Sequence, residues 1–184
     1  MLLAGVCVIG AGCIFSPDHG DEKVKPPPQY PRLDTPLNVL SALQLAYQNR
    51  DSVEYEQLYD SSYVGTSTDL NDPPATQVST FRRADELIHI GALQHSTTIS
   101  QVVFDLGPQT TWTRLSSDDP SNPDWAQIQI GRGNLRIEIY DGATLYSVQS
   151  INPVTFTLKP TPTGAPNDTL WKIIRWNEVG ESTS

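Results

Sequence analysis

Residues 35–64 read TPLNVLSALQLAYQNRDSVEYEQLYDSSYV, and the fold turns on how this stretch is divided. Thr35 followed by Pro36 is a helix start, with the threonine hydroxyl as cap and proline where no N–H is needed. Leu37, Leu40, Leu43 and Tyr47 then recur at helical spacing, with Val39, Ala42 and Ala46 beside them. This predicts a helix to about Asn49. Asp51-Ser52 caps a second, short helix whose apolar positions are Val53, Tyr55, Leu58 and Tyr59. Tyr63-Val64 then begins a short strand.

Downstream, 66–80 is polar and contains Pro73-Pro74, which predicts a loop. A third helix is expected over about 82–94, with Ala84, Leu87, Ile88, Gly91 and Ala92 as its buried stripe. From residue 97 the period changes from helical to alternating. Strands are expected at 97–106, 110–115, 125–130, 135–140, 144–149, 154–159 and 170–179. Ile128 and Ile130 alternate with Gln127 and Gln129. Asp141-Gly142 is a hairpin signal. The order, helices first and then an antiparallel meander, predicts an α+β domain over 35–180 with N-terminal helices covering one face of a curved antiparallel sheet. Residues 181–184 are expected as a disordered tail.

Upstream, 1–15 (MLLAGVCVIGAGCIF) carries no charge and is too short to span a bilayer as a helix. Its length suits the apolar part of a secretory signal. Gly10, Ala11 and Gly12 precede Cys13, which resembles a bacterial lipoprotein signal over 1–13. In such signals the cysteine thiol takes the diacylglycerol. Gly10 stands where a leucine is usual, and a basic start is missing. A plain cleaved signal and a buried strand are the other readings of the same residues. Residues 14–34 turn polar and then proline-rich, at Pro26, Pro27, Pro28 and Pro31, as a flexible linker should. The expected localisation is the bacterial cell envelope, with a lipid anchor in the membrane.

The 184 residues have a net charge of −9. Asp18, Asp21, Glu22 and Asp34 are nearly balanced by Lys23, Lys25 and Arg32, so the acidity belongs to 35–184. An acidic domain repels phosphate backbones and argues against nucleic acid as a partner. The 2 cysteines, Cys7 and Cys13, both lie in the leader, which excludes a disulfide or a cysteine-based zinc site within the domain. No metal and no cofactor are expected.

Residues 35–64 also resemble the opening of the nuclear transport factor 2-like (cystatin-like) superfamily. There a first helix ends in a residue-arginine-aspartate break, and a second ends near an aspartate and an aromatic. Asn49-Arg50-Asp51 supplies the break, and Leu58-Tyr59-Asp60 with Tyr63 the ending. Residues 168–179, DTLWKIIRWNEV, resemble the last strand of that family. The resemblance implies a cone, a bent sheet wrapped on helices with a pocket at its open end. It also implies that homodimers through the sheet are to be considered. The same fold carries isomerases, dehydratases, assembly domains and binding modules, so the fold does not choose among them.

No residue cluster spells out a reaction. Asp60 matches roughly the place where some enzymes of the superfamily hold an acid. Asp105 lies on a strand, and His95 extends the expected stripe of the third helix. These three are the weak catalytic candidates. His89, four residues after Asp85, reads as a solvated pair or as a base with its orienting acid. Tyr47, Tyr59, Tyr63 and Trp112 are the expected ligand-pocket residues, with core packing as their plainer role. The turn at 131–134 is no phosphate loop, since no helix follows it. Two functions follow. One is an envelope-anchored, non-catalytic module that binds a small apolar ligand or a protein partner. The other is a metal-free isomerase or dehydratase acting in the cone. A pocket carboxylate with a second polar group in reach favours the enzyme, and a cone plugged by its own aromatics excludes it.

Overall fold

The structure, a computed structural model, describes residues 26–69, 72–74, 76–116, 124–165 and 168–180. The expected signal segment, Cys13, residues 14–25 of the linker and the tail lie outside these.

Helix α1 (Pro36–Asn49) starts where Thr35 accepts the Asn38 N–H at 3.1 Å. It buries Val39, Leu40, Leu43, Ala46 and Tyr47. Arg50 ends it in the left-handed region, at φ 54°, with its N–H turned back to the carbonyls of Ala46 and Tyr47. That conformation costs a non-glycine residue roughly 1–2 kcal/mol. The Arg50 guanidinium supplies compensation by donating to the carbonyls of Leu93, Ser96 and Ile99, at 3.5, 3.5 and 2.9 Å. Asp51 then caps α2 (Ser52–Gln57), accepting from the N–H groups of Val53 and Glu54. The break is thus a joint that stitches α1 to the far end of a later helix.

The order after α2 differs from the expected one. A hairpin of β1 (Tyr59–Asp69) and β2 (Val78–Arg82) comes before α3 (Arg83–His95). The predicted loop at 66–80 is therefore largely strand. Its Ser, Thr and Asp content hid it, and β2 is exposed along its whole length, so no alternation marks it. Strands β3 (Ile99–Asp105), β4 (Thr113–Ser116), β5 (Asp124–Ile130), β6 (Arg136–Asp141), β7 (Thr144–Gln149), β8 (Val154–Pro162) and β9 (Thr169–Gly180) follow, close to the predicted positions. Gly142, at φ 56°, opens the two-residue turn between β6 and β7.

By hydrogen bonding the strands form one sheet in the order β2-β1-β9-β8-β5-β4 and another in the order β3-β6-β7. The sheet is mixed, because β1 runs parallel to β9. This corrects the all-antiparallel expectation. A long strand inserted before α3 meets the last strand head to head, a pairing no local signal announces. Register shifts in β1–β9 and β8–β9 mark where the strands bend. Helices packed on this curved mixed sheet make the α+β cone. Trp176 of β9 packs between Phe104 and Phe156, with ring centroids 6.0 and 4.8 Å away.

Residues 30–34, expected as the end of a flexible linker, are docked on the domain. Tyr30 and Leu33 pack against the core. The Tyr30 hydroxyl donates to Asp51 at 3.0 Å, and the Trp171 N–H to the Leu33 carbonyl at 2.7 Å. Arg32 also pairs with Asp168. Burial and the Asp51 carboxylate push the Tyr30 phenol up to about 12. An aromatic and a leucine close to the proline run give this segment apolar surface to dock.

Arg50→Ala is expected to lower the unfolding free energy by about 2–4 kcal/mol in urea titrations, through three lost charge-assisted bonds and uncovered carbonyls. Arg50→Gly should lose less, because glycine adopts the left-handed conformation freely.

Candidate functional site

Four tyrosines converge on one wall of the cone. Tyr47 comes from the last turn of α1, Tyr55 from α2, and Tyr59 and Tyr63 from β1. All four are at most 2% exposed. Their rings form a chain: Tyr47–Tyr55 at 6.0 Å, Tyr55–Tyr59 at 5.0 Å and Tyr59–Tyr63 at 4.7 Å between centroids, the last edge to face. A buried phenol needs a partner for its hydroxyl. Helix α3 supplies it. Tyr63 donates to Glu86 Oε1 at 2.8 Å, Tyr55 donates to Glu86 Oε2 at 3.0 Å, and Tyr59 donates to the Tyr55 oxygen at 2.7 Å. One turn further along α3, His89 Nε2 and the Tyr47 hydroxyl share a 2.7 Å hydrogen bond.

This polar cluster sets the rotation of α3. Its inward face carries Glu86, Ile90 and Leu93, whereas the predicted stripe of Ala84, Leu87, Ile88, Gly91 and Ala92 points largely outward, with Ile88 73% exposed. Counting apolar residues misplaced the face because its first contact with the core is a carboxylate.

Beside the cluster lies a cleft of about 640 Å³, walled by Tyr47, Tyr55 and Tyr63, by Trp176 and Glu178 of β9, by Phe81 of β2, and by Leu135, Ile137 and Val148. Asp85, Glu86 and His89 line it from α3. Gly65 stands next to the Tyr63 hydroxyl, and a Cβ there would come within 2.5 Å of that oxygen. The glycine lets Tyr63 lie flat along β1 and reach Glu86.

Burial pushes the Glu86 carboxyl up from its ordinary value, the two tyrosine hydroxyls pull it partly back, and the carboxylates of Glu178 and Asp85 push it up further. Loss of water pulls His89 down. Burial also raises all four phenols, which therefore stay neutral donors. The arrangement brings together a hydrogen-bond-ready carboxylate that protonates easily and an imidazole that loses its proton easily.

Of the residues expected from the sequence, Tyr47 and Tyr63 line the cleft. Tyr59 sits behind Tyr55 as an inner link and does not reach the cavity. Trp112 is elsewhere, 38% exposed and tilted against Trp171 at 5.8 Å. None of the three catalytic candidates is in the cleft. Asp60 pairs with Lys159 at 3.0 Å; burial would raise its carboxyl, but bonds from Ser62 and the Lys159 charge outweigh that and hold it low. Asp105 accepts from the Gly107 N–H at 2.8 Å and stands 3.9 Å from Arg136. His95 is exposed at the end of α3, its Nδ1 2.7 Å from the Gly91 carbonyl. His89 bonds Tyr47, and Asp85 instead accepts the Arg82 N–H at 2.7 Å, so they do not form the expected pair. Sequence reasoning missed Glu86 altogether and left Tyr55 out of the pocket. The available signal was the run Tyr47, Tyr55, Tyr59, Tyr63 at multiples of four, whose hydroxyls had no local acceptor.

No family model matches the sequence, and no curated protein matches it. Among solved structures the chain is similar to a ketosteroid isomerase-like protein from Erwinia carotovora atroseptica, at 14% identity and TM-score 0.46, over 82% of this chain and 97% of that one. It is similar to an NTF2-like protein with a cystatin-like fold from Novosphingobium aromaticivorans, at 12% identity and TM-score 0.43, over 79% of each. It is also similar to a protein from Bdellovibrio bacteriovorus, at 12% identity and TM-score 0.40, over 79% of this chain but spanning only 39% of that one.

Glu86 fixes a stability signature. Its folded-state value lies above the ordinary 4.5, so its contribution is fully present at acid pH and is lost as pH rises through the raised value. Glu86→Gln should remove that part of the pH dependence and be at least as stable as the native chain at pH 7, measured by urea unfolding from pH 4 to 8. Glu86→Leu should lose about 2–6 kcal/mol, because it strands both the Tyr55 and the Tyr63 hydroxyl, at about 1–3 kcal/mol each. Gly65→Ala should displace Tyr63 and raise its hydroxyl exchange rate by NMR.

Proposed function

We propose that this chain is a small-molecule-binding module, held in the bacterial envelope, whose cone mouth takes a compact and mostly apolar ligand. The observation that carries this reading is the aromatic cleft of about 640 Å³ ending on a carboxylate held by two tyrosines. The volume suits one small molecule, and apolar walls with a few fixed polar groups are the usual make-up of such sites. The side chains of the described residues leave the cleft open. Envelope anchoring is supported by the small residues before Cys13, by the charged, proline-rich stretch after it and by the confinement of both cysteines to the leader.

A second reading, acid–base catalysis on the bound molecule, is favoured by one observation. Glu86 is pushed up and His89 pulled down on neighbouring turns of one helix. Opposed shifts of this kind bring an acid and a base toward the same working pH. In that reading Glu86 delivers or accepts the proton, and the Tyr55 and Tyr63 hydroxyls hold its carboxylate in place.

Thr80 faces the cleft across the β1–β2 hairpin, opposite Thr66. Thr80→Trp should fill the mouth and weaken binding of the neutral probe N-phenyl-1-naphthylamine by at least tenfold in a fluorescence titration. Equal binding by both proteins would reject the cleft as the binding site. Palmitate labelling of cells should be lost in Cys13→Ser; retention of label would reject the anchor.

A further inference from the structure

We propose that the ligand of this cleft is an organic cation, an ammonium group carried on an aromatic or aliphatic body. The inference rests on the cleft being the binding site and adds the charge of its occupant.

The charges around the cavity are one-sided. Asp85, Glu86 and Glu178 line it, and no lysine or arginine does. Elsewhere among the described residues Asp60, Asp105, Asp124, Asp168, Glu56 and Glu138 stand in ion pairs, while Asp34, Asp51, Glu54, Asp72 and Asp141 stand in none, so it is the gathering of three acids on one cavity that is distinctive. None of the ion pairs among the described residues uses Asp85, Glu86 or Glu178. Glu86 is the deepest of the three, and its two oxygens accept one tyrosine hydroxyl each. A carboxylate offers about four acceptor positions, so capacity remains for a donor from the cleft. The basic side chain that does line the cleft, His89, is hydrogen-bonded to Tyr47, and desolvation of its ring lowers its affinity for a proton.

The walls fit the same occupant. Tyr47, Tyr55, Tyr63, Phe81 and Trp176 present aromatic surface around these acids. Aromatic faces attract ammonium groups through their quadrupole, and more strongly where water is excluded. Coulomb attraction to a partly buried carboxylate adds to this. A bare metal ion is a poorer fit, because among the described residues no three His, Cys, Asp or Glu side chains are grouped to hold one. An anionic ligand would meet three carboxylates.

The dependence on pH follows from every titratable group that faces Glu86. Asp85 and His89 lie on α3, Tyr47 on α1, Tyr55 on α2, Tyr63 on β1 and Glu178 on β9. As pH falls, Glu86 takes up its proton and His89 gains positive charge. Both changes weaken the attraction for a cation.

Three probes of one shape separate the possibilities: 2-phenylethylammonium, 2-phenylethanol and 3-phenylpropanoate. Each is titrated into the full chain at pH 7.5 in low salt and followed by amide NMR shifts on α3 and β9. The ammonium should bind at least tenfold more tightly than the alcohol, and the carboxylate most weakly. The advantage of the ammonium should fall at least threefold at pH 5, and at least threefold again in Glu178→Gln at pH 7.5. Glu178 holds none of the tyrosines, so this variant keeps the cluster intact. Glu86→Gln should abolish most of the remaining preference. If the alcohol or the carboxylate binds as well as the ammonium, the cation assignment is wrong and the cleft reading stands. If none of the three shifts α3 and β9, the cleft itself is not a ligand site and both readings fall.

Discussion

The carboxylate of Glu86 is the constraint on which this molecule turns. It is partly withdrawn from water and held there by hydroxyls from two other elements, Tyr55 of α2 and Tyr63 of β1, with Tyr59 bracing Tyr55 from behind. Without that acceptor, two phenols would be buried with unmade hydrogen bonds, at a cost of about 1–3 kcal/mol each. Without the phenols, a carboxylate would be buried against two others. Each side makes the other tolerable. The cluster thereby fixes the rotation of α3, the path of β1 past Gly65 and the width of the cleft between them.

The same cluster links packing to chemistry. The tyrosine rings are core, in mutual contact at 4.7–6.0 Å. Their hydroxyls form a polar edge where that core meets the cavity. A site built this way has its polar groups fixed before any ligand arrives, which reduces the ordering cost of binding. It also stores an imbalance, since acidic groups gather where no protein cation reaches them. Structural need accounts for the hydrogen bonds to Glu86. It also accounts for Asp85, which caps the start of α3, but not for Glu178 on the same cavity, which the proposed cationic occupant would pair with.

Arg50 plays the corresponding part for the helices. It closes α1 in a left-handed turn, and its guanidinium reaches the carbonyls at the end of α3 and the start of β3. The α1–α2 joint and the α3 terminus are therefore one unit. Tyr47 on α1 and His89 on α3 meet across that unit, so the geometry of the cleft depends on a residue that does not line it.

Much of this was legible in the chain of residues. Thr35-Pro36, the apolar spacing to Tyr47 and the Asn49-Arg50-Asp51 break set out α1 and α2, because caps and periodicity are local properties. The alternating segments after residue 97 marked most of the later strands for the same reason. What lay beyond local reading came from long-range partners. β1 pairs in parallel with β9 across more than a hundred residues, and its polar composition betrays nothing of that. The inward face of α3 was misjudged because a glutamate became an inside residue only once tyrosines from two other elements supplied donors. Asp60, Asp105 and His95 each found a partner outside the cleft, whereas Glu86 and His89 were carried into it. Local order was thus written in the sequence by itself. The site was decided by tertiary structure, since the cost of burying a charge depends on what surrounds it, and only the fold brings those surroundings together.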